Sequence, residues 1–453
     1  MRVVVIGAGL VGSTVAADLN ENHDVVVVDR DPDRVDELTY SLDVLAVEGD
    51  GTSLGVLEEA GVADADMVIA STNDDETNIV ACATAETIGD AFTVARVKNV
   101  EYLRTWQRSA GTGPGAFGID FMVCTDLLTA EAIVRVAGVP AARDVDQFAE
   151  GKVEMAELEV PEGSPIADRT VAEADRFASL TFAAVFRDGE TLLPDGTTVI
   201  EAGDRVLVIG TPASVSEFAG DVAAEGAVEG ATGPASEVVV VGGSEIGFHV
   251  ARLLGDRGFS PRLVERDPER AREIAEDLPE TMVMESDATA VEFLEREHVG
   301  DADMVVAALD ADEKNLLVCL LATRLGVERT VAVIETAAYA DLFEAVGVDV
   351  AISPREVVAE EITRFAREDR AENVALVGRG EAEVLEIEID PDSALAGRPI
   401  RESVPALSDG VVVGAIIRND EFVVPRGDTV VEAGDQVVLF VDAAVIDDVS
   451  AQL

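Results

Sequence analysis

The chain is short of positive charge, cysteine, histidine, aromatic rings and long apolar runs, and each shortage excludes something. Thirty-three Lys and Arg stand against 90 Asp and Glu over 453 residues, a formal net charge of −57 at pH 7. A field of that sign repels phosphodiester backbones and anionic headgroups, so no nucleic-acid partner is expected, and no membrane adhesion driven by charge. The three cysteines, Cys82, Cys124 and Cys319, lie far apart with no C-x-x-C pair. That excludes a disulfide framework and a zinc spacing, and reads as small core residues in a reducing cytosol. His23, His249 and His298 have no triad-like company, and no Tyr lies four residues before a Lys. No hydride-transfer acid or base follows, no catalytic residue and no metal site. There is no G-x-x-x-x-G-K-[ST] cradle for phosphoryl transfer. No apolar run approaches about 18 residues, the length a membrane helix needs. Met1-Arg2 leads straight into the apolar Val3–Ile6, so no signal peptide is expected.

What is abundant is equally directive. Apolar residues make up 48% of the chain, enough for buried cores despite the charge, so the expectation is a globular, acid-coated protein rather than a disordered one. The basic residues are almost all arginine, with Lys98, Lys152 and Lys314 as the lysines. This looks like the surface of an extreme halophile, where multimolar salt shortens the screening length to about 3 Å and self-repulsion is suppressed. Individual surface carboxylates are therefore not read as sites. At roughly 150 residues per domain, the length suggests two to four domains.

The chain repeats itself. Arg2–Gly12, RVVVIGAGLVG, aligns with Glu237–Gly247, EVVVVGGSEIG, and Val28–Pro32, VDRDP, with Val264–Pro268, VERDP. Asp64–Val68, DADMV, recurs as Asp301–Val305, and Glu76, Asn78, Cys82 and Gly89 recur as Glu313, Asn315, Cys319 and Gly326. A third block, Val199–Asp204, VIEAGD, answers Val430–Asp435, VVEAGD. Each half is thus a larger unit, residues 1–137 and 237–368, followed by a smaller one, 144–222 and 372–453, with 223–236 as a Gly- and Ala-rich linker.

In the first larger unit the runs Val3–Ile6, Val25–Val28, Val44–Val47, Met67–Ala70 and Thr93–Val97 read as buried strands. Leu10, Val11, Val15, Ala16 and Leu19 recur at helical steps between the first two, and Asp31-Pro32 supplies a cap and a first-turn proline for the next helix. Strands alternating with helices give an α/β class: two Rossmann-like, doubly wound parallel sheets. Val153–Val160 and Val384–Ile389 mix apolar and acidic residues, which predicts strands with one wet face in small α+β modules.

Gly7-Ala8-Gly9-Leu10-Val11-Gly12 is a G-x-G-x-x-G between the first strand and the first helix. Gly7 makes the turn, Gly9 lets backbone N–H groups approach a pyrophosphate, and Gly12 lets helix meet strand. Asp29 closes the second strand about 20 residues on, where a carboxylate accepts hydrogen bonds from an adenosine ribose and repels a 2′-phosphate. It favours NAD over NADP, with Arg30 beside it as the opposing sign. Asp50 and Thr52 follow the third strand, Thr72 and Asn73 the fourth, and Arg96 closes the fifth as a bidentate phosphate donor. The second copy, Gly242-Gly243-Ser244-Glu245-Ile246-Gly247, puts a side chain at Ser244 and a negative charge at Glu245, retains the ribose acid as Glu265, and has Val333 in place of Arg96. Its occupancy is left open.

The order VVVIGAGLVG, EGDGT, TNDDETN and ARV, then a small module, then both again, resembles the TrkA family: cytosolic NAD-binding subunits of Trk-type potassium uptake systems, arranged RCK_N, RCK_C, RCK_N, RCK_C. The likeness covers nearly the whole chain. It implies a non-enzymatic regulator, cytoplasmic and peripherally associated with the inner face of the cell membrane, that docks on a membrane potassium-translocating subunit and gates it in response to nucleotide. It implies NAD or NADH as ligand, with ATP or ADP as alternatives, and a homo-oligomeric ring. By motif, the nucleotide contacts fall on Gly7 to Val11, Asp29, Thr52, Thr72, Asn73 and Arg96, with Gly242 to Ile246 and Glu265 in the second half. Three other readings remain at this point: a soluble NAD-dependent oxidoreductase, the regulatory ring of another cation channel or transporter, and a purely structural scaffold that binds no nucleotide.

Overall fold

A computed structural model describes the chain except residues 21–22, 43, 110–115, 140, 188, 223–236, 368–372, 378–381, 392, 447–448 and 450–453. The expected linker, 223–236, therefore lies outside the described residues. The first half opens with strands β1 (Arg2–Ile6), β2 (Asp24–Asp29), β3 (Leu45–Glu48), β4 (Met67–Ala70), β5 (Phe92–Val97) and β6 (Phe121–Cys124). They alternate with helices α1 (Leu10–Asn20), α2 (Pro32–Ser41), α3 (Leu54–Glu59), α4 (Asp75–Glu86), α5 (Val100–Ser109) and α6 (Thr125–Gly138). The small sheet that follows contains β7 (Ala142–Phe148), β8 (Val153–Glu159), β10 (Leu180–Arg187), β11 (Glu190–Leu192) and β13 (Arg205–Gly210). A two-stranded ribbon of β9 (Arg169–Thr170) and β12 (Val199–Ile200) and helices α7 (Val171–Ala174) and α8 (Pro212–Val222) accompany it.

The second half repeats the plan: β14 (Glu237–Val241), β15 (Ser260–Glu265), β16 (Met282–Glu285), β17 (Met304–Ala307), β18 (Arg329–Val333) and β19 (Val350–Ile352). Its helices are α9 (Glu245–Asp256), α10 (Pro268–Asp277), α11 (Val291–Arg296), α12 (Asp312–Leu325), α13 (Ala340–Ala345) and α14 (Pro354–Arg367). The last small sheet holds β20 (Asn373–Val377), β21 (Ala382–Glu388), β22 (Val411–Arg418), β23 (Glu421–Val423) and β24 (Gln436–Asp442), with α15 (Ile400–Leu407).

Both large sheets have the doubly wound order, β3-β2-β1-β4-β5-β6 and β16-β15-β14-β17-β18-β19. The order reverses beside β1 and β14, which puts a crevice at the strand ends there. The strands are near-continuous valine and isoleucine because both faces are covered. In the first sheet Val4, Ile6, Val26 and Val28 face a core completed by Ile79, Cys82 and Ala85 of α4. The opposite face, Val3, Val5, Val25 and Val27, is covered by Val15, Ala16 and Leu19 of α1. It is also covered by Val358, Ala359, Ile362 and Ala366 of α14, which belongs to the second half of the chain. Phe365 of α14 stacks on Phe121, ring centroids 4.1 Å apart, and on Phe92 at 5.1 Å. Met1–Glu131 and Val239–Ala366 accordingly form one compact unit.

The two small sheets form the other unit, Ala132–Val238 with Arg367–Leu453. They share a core in which Phe148, Met155 and Phe186 meet Val377, Val384 and Phe440. The wet faces expected of β8 and β21 are not there. Both strands are buried along nearly their whole length, and Glu154, Glu157, Glu383 and Glu386 are 5–8% exposed. The reason is that each sheet is covered on both sides and the carboxylates find partners: Glu157 accepts from Arg205 Nη1 at 2.9 Å, and Glu386 from the Ala149 N–H at 3.0 Å. The repeated VIEAGD and VVEAGD blocks also acquire a cause. Asp204 takes a two-pronged hydrogen bond from Arg187, and Asp435 from Arg418, at 2.6–2.7 Å, with each aspartate 1% exposed.

Candidate nucleotide-binding site

The first glycine turn runs from the end of β1 straight into α1. Gly7 has φ +106°, a conformation that side-chain-bearing residues rarely adopt. A Cβ on Gly12 would sit 1.8 Å from the Gly7 carbonyl oxygen, so these two glycines are required by the fold itself. Gly9 differs: the nearest atom to a Cβ there would be Arg34 Nη1 at 3.8 Å. It borders open space.

That space is a cleft of about 520 Å³. Of the residues expected at the site, Gly7, Gly9, Leu10, Val11, Asp29, Arg30, Asp50, Thr52, Thr72, Asn73 and Arg96 line it, while Ala8 and Gly12 complete the turn without lining it. Leu10, expected to pack on the sheet, is 43% exposed at the cleft instead. Among the described residues no acceptor meets the backbone N–H groups of Gly9, Leu10, Val11 and Gly12. Open donors at a helix N-terminus, with no acidic residue in the first turn, are receptive to an anion.

The carboxylates are more occupied than the sequence implies. Asp29 Oδ2 accepts from the Ala8 N–H at 2.6 Å and Oδ1 from the Asp31 N–H at 2.8 Å, so the ribose acid also fixes the glycine turn. Asp50 accepts from the Thr52 N–H at 2.9 Å and hydroxyl at 2.7 Å. Those bonds hold its carboxyl below the usual carboxylate range.

Asn78 is the positioning residue that sequence reasoning noted as a repeat but did not assign. Fully buried, it accepts from the Thr72 N–H and hydroxyl at 2.9 and 2.6 Å and donates to the carbonyls of Thr72 and Arg96 at 3.0 and 2.8 Å. It ties the end of β4 to the end of β5. Asn315 does the same for Leu309 and Val333, and the verbatim spacing of the two asparagines was the signal. Arg96 is 4% exposed and donates through Nε to Thr125 Oγ1 at 2.9 Å. It makes no ion pair among the described residues. Burial, then the guanidinium of Arg355, holds its pKa below the ordinary arginine value. Arg34 and Arg355 also line the cleft and were not foreseen. In a chain of net charge −57, this lining carries four arginines, Arg30, Arg34, Arg96 and Arg355, against three aspartates.

The second glycine turn is built differently. Gly242 has φ +109°, and a Cβ on Gly247 would lie 2.0 Å from the Gly242 oxygen, so the turn geometry persists. Glu265 accepts from the Gly243 N–H at 2.7 Å, as Asp29 does from Ala8. Ser244, however, caps α9: its hydroxyl oxygen accepts from the Gly247 N–H at 3.2 Å and donates to the Ala308 carbonyl at 2.8 Å. Glu245 occupies the first turn, paired with Arg270 at 2.7 Å, and Ile246 follows it. Donors that stand open at the first turn are partly filled by the chain itself at the second.

Fold and cleft together define a class: tandem Rossmann domains, each followed by a small β-rich module, with an anion-receptive glycine turn in the first repeat. Residues 3–113 and 238–354 match the TrkA-N domain, and residues 155–220 and 384–453 the TrkA-C domain. The chain is 35% identical to the Trk system potassium uptake protein TrkA homolog of Archaeoglobus fulgidus, over 97% of both chains. It is 34% identical to the Trk system potassium uptake protein TrkA of Vibrio alginolyticus, over 100% of this chain and 98% of that one. The chain belongs to the TrkA family. The crystal structure of the GsuK RCK domain superposes with a TM-score of 0.61 at 20% identity, covering 99% of this chain and 95% of that one. The GsuK channel bound to NAD gives 0.60 at 20% identity, over 100% and 78%.

Proposed function

We propose that this chain is the nucleotide-binding regulatory subunit of a Trk-type potassium uptake system, docking on a membrane potassium-translocating subunit and gating it. The observation that carries the reading is the first-half cleft: open helix N–H donors and an arginine-rich lining in an otherwise strongly acidic chain. Asp29 at the end of β2 supports NAD or NADH, with the ribose hydroxyls taken by the carboxylate lone pairs left over from the Ala8 and Asp31 N–H groups. The output is conformational rather than chemical. A nucleotide shifts an equilibrium only through its differential affinity for two states, and a cleft lined from both halves of the chain is a place where such a difference arises. No described helix is long and apolar enough to cross a membrane, which suits a peripheral subunit at the inner face that acts through a partner. The duplicated architecture favours assembly into a closed homo-oligomeric ring. Family membership supports each of these assignments.

Deleting the gene should reduce potassium uptake, most visibly when external potassium is scarce, while the membrane subunit remains present. Gly9→Val should reproduce much of that loss with the protein still membrane-associated. Normal uptake in the deletion strain, with no potassium transporter co-purifying in molar KCl, would overturn the reading.

A further inference from the structure

The two halves place side chains of opposite charge at one equivalent position beyond the fifth strand. In the first sheet Val94, Ala95 and Arg96 of β5 pair with Phe121, Met122 and Val123 of β6. In the second, Val331, Ala332 and Val333 of β18 pair with Val350, Ala351 and Ile352 of β19. Thr93 bonds to Asp120 as Thr330 bonds to Asp349. With the sheets in that register, the third residue beyond Val123 corresponds to the third beyond Ile352: Asp126 is the repeat partner of Arg355. Both stand in the first turn of the helix that leaves the sheet.

An aspartate there suits the helix dipole, whereas an arginine opposes it. A residue that breaks a local rule without local gain is expected where function is served. Arg355 belongs to the second half yet lines the first-half cleft. It is held there by Glu335 at 2.8 Å and lies close enough to Arg96 to depress that guanidinium's pKa. Arg96, buried and without an ion pair among the described residues, and Arg355 line the same cleft and offer an anionic group two guanidiniums, with the carboxylates of Asp126, Asp75 and Glu335 at longer range. The two arginines lie on the β4–β5 side of the glycine turn, opposite Asp29, so they face the part of a ligand beyond its adenosine. At the mirror position, burial first and then the nearby Glu245 push the Asp126 carboxyl up, to about 6, against the opposing pull of Lys98 and Arg96. Where the second half lends the first cleft an arginine, the equivalent position of the first half carries an aspartate.

We infer that Arg355, supplied across the pair of Rossmann domains, grips with Arg96 the phosphate-bearing end of a nucleotide in the first cleft. This rests on the reading of the first cleft as the nucleotide site. Binding of the phosphate group then draws Arg355 away from Glu335 and ties the second half of the chain to the ligand of the first.

The test is calorimetric titration of the full chain in molar KCl with NADH, ATP and adenosine. One NADH or ATP per chain is expected. Arg355→Ala should weaken NADH and ATP by about 10- to 100-fold, the worth of a lost hydrogen bond to a charged group, and leave adenosine unchanged. Glu335→Gln, which releases Arg355, should tighten ATP severalfold. A folded Arg355→Ala protein that binds ATP as wild type does overturns the proposal, and should that variant fail to fold, unchanged ATP affinity in Glu335→Gln does so instead. Wild-type affinity in Gly9→Val would instead overturn the site reading itself, so the two failures are distinguishable.

Discussion

Within the first fingerprint the three glycines do different work. Gly9→Val places its side chain in open cleft and should abolish high-affinity nucleotide binding while the melting temperature without ligand stays near wild type. Gly12→Ala drives a methyl into the Gly7 carbonyl and should instead lower stability by about 1–3 kcal/mol, typical of overpacking. Thermal melts with and without NADH separate the two. The cysteines behave as their sequence context suggested. Burial pushes the Cys82 and Cys319 thiols up to about 12 and Cys124 to about 11, so none should react with a thiol reagent in the folded protein at pH 8. The motif residues were legible because a glycine turn, its strand and its acid are local in sequence. Arg355 was not, because it lies some 260 residues from Arg96 and enters through a second-half helix packed on the first sheet, which no local pattern announces.

Among the elements, the Arg418–Asp435 clamp joins the end of β22 to the turn before β24. Arg418→Ala leaves a buried carboxylate uncompensated and should cost about 3 kcal/mol, read as a lower denaturant midpoint at fixed molar KCl. Helix α9 carries His249, 1% exposed, its Nδ1 without an acceptor among the described residues. Burial first, and then Arg252, Arg104 and Arg270, hold its pKa down at about 4 against an ordinary 6.5. The unfolded chain therefore binds the extra proton between those values. Stability is full above pH 6.5, falls as pH drops towards 4, and is flat below, a loss of about 3 kcal/mol. His249→Leu should flatten that part of the profile, and an unchanged slope would refute the assignment. Strands and helices were readable from period and caps: Asp31 does cap α2 through the Asp33 N–H, and Asp267 caps α10. The burial of β8 and β21 was not, since acidic residues on a strand look wet until the sheet that covers them is known.

For the whole molecule, charge sets the conditions of existence. At −57, dilution to about 0.01 M salt lengthens screening to about 30 Å, and carboxylates across the entire surface repel together. Unfolding or disassembly is expected at low ionic strength, and a melting temperature unchanged between low and molar KCl would contradict it. Synthesis meets a different demand, set by α14. The first sheet's inner face, with Val3, Val5 and Val123, is finished by Val358 and Ile362, which leave the ribosome about 235 residues after Val123. At about 5–20 residues per second, the nascent domain waits roughly 12–47 s with that face covered only in part, by α1. Its glycine turn therefore exists before its last wall does, and a chain stalled or cut before residue 354 presents chaperones and proteases with a half-covered sheet.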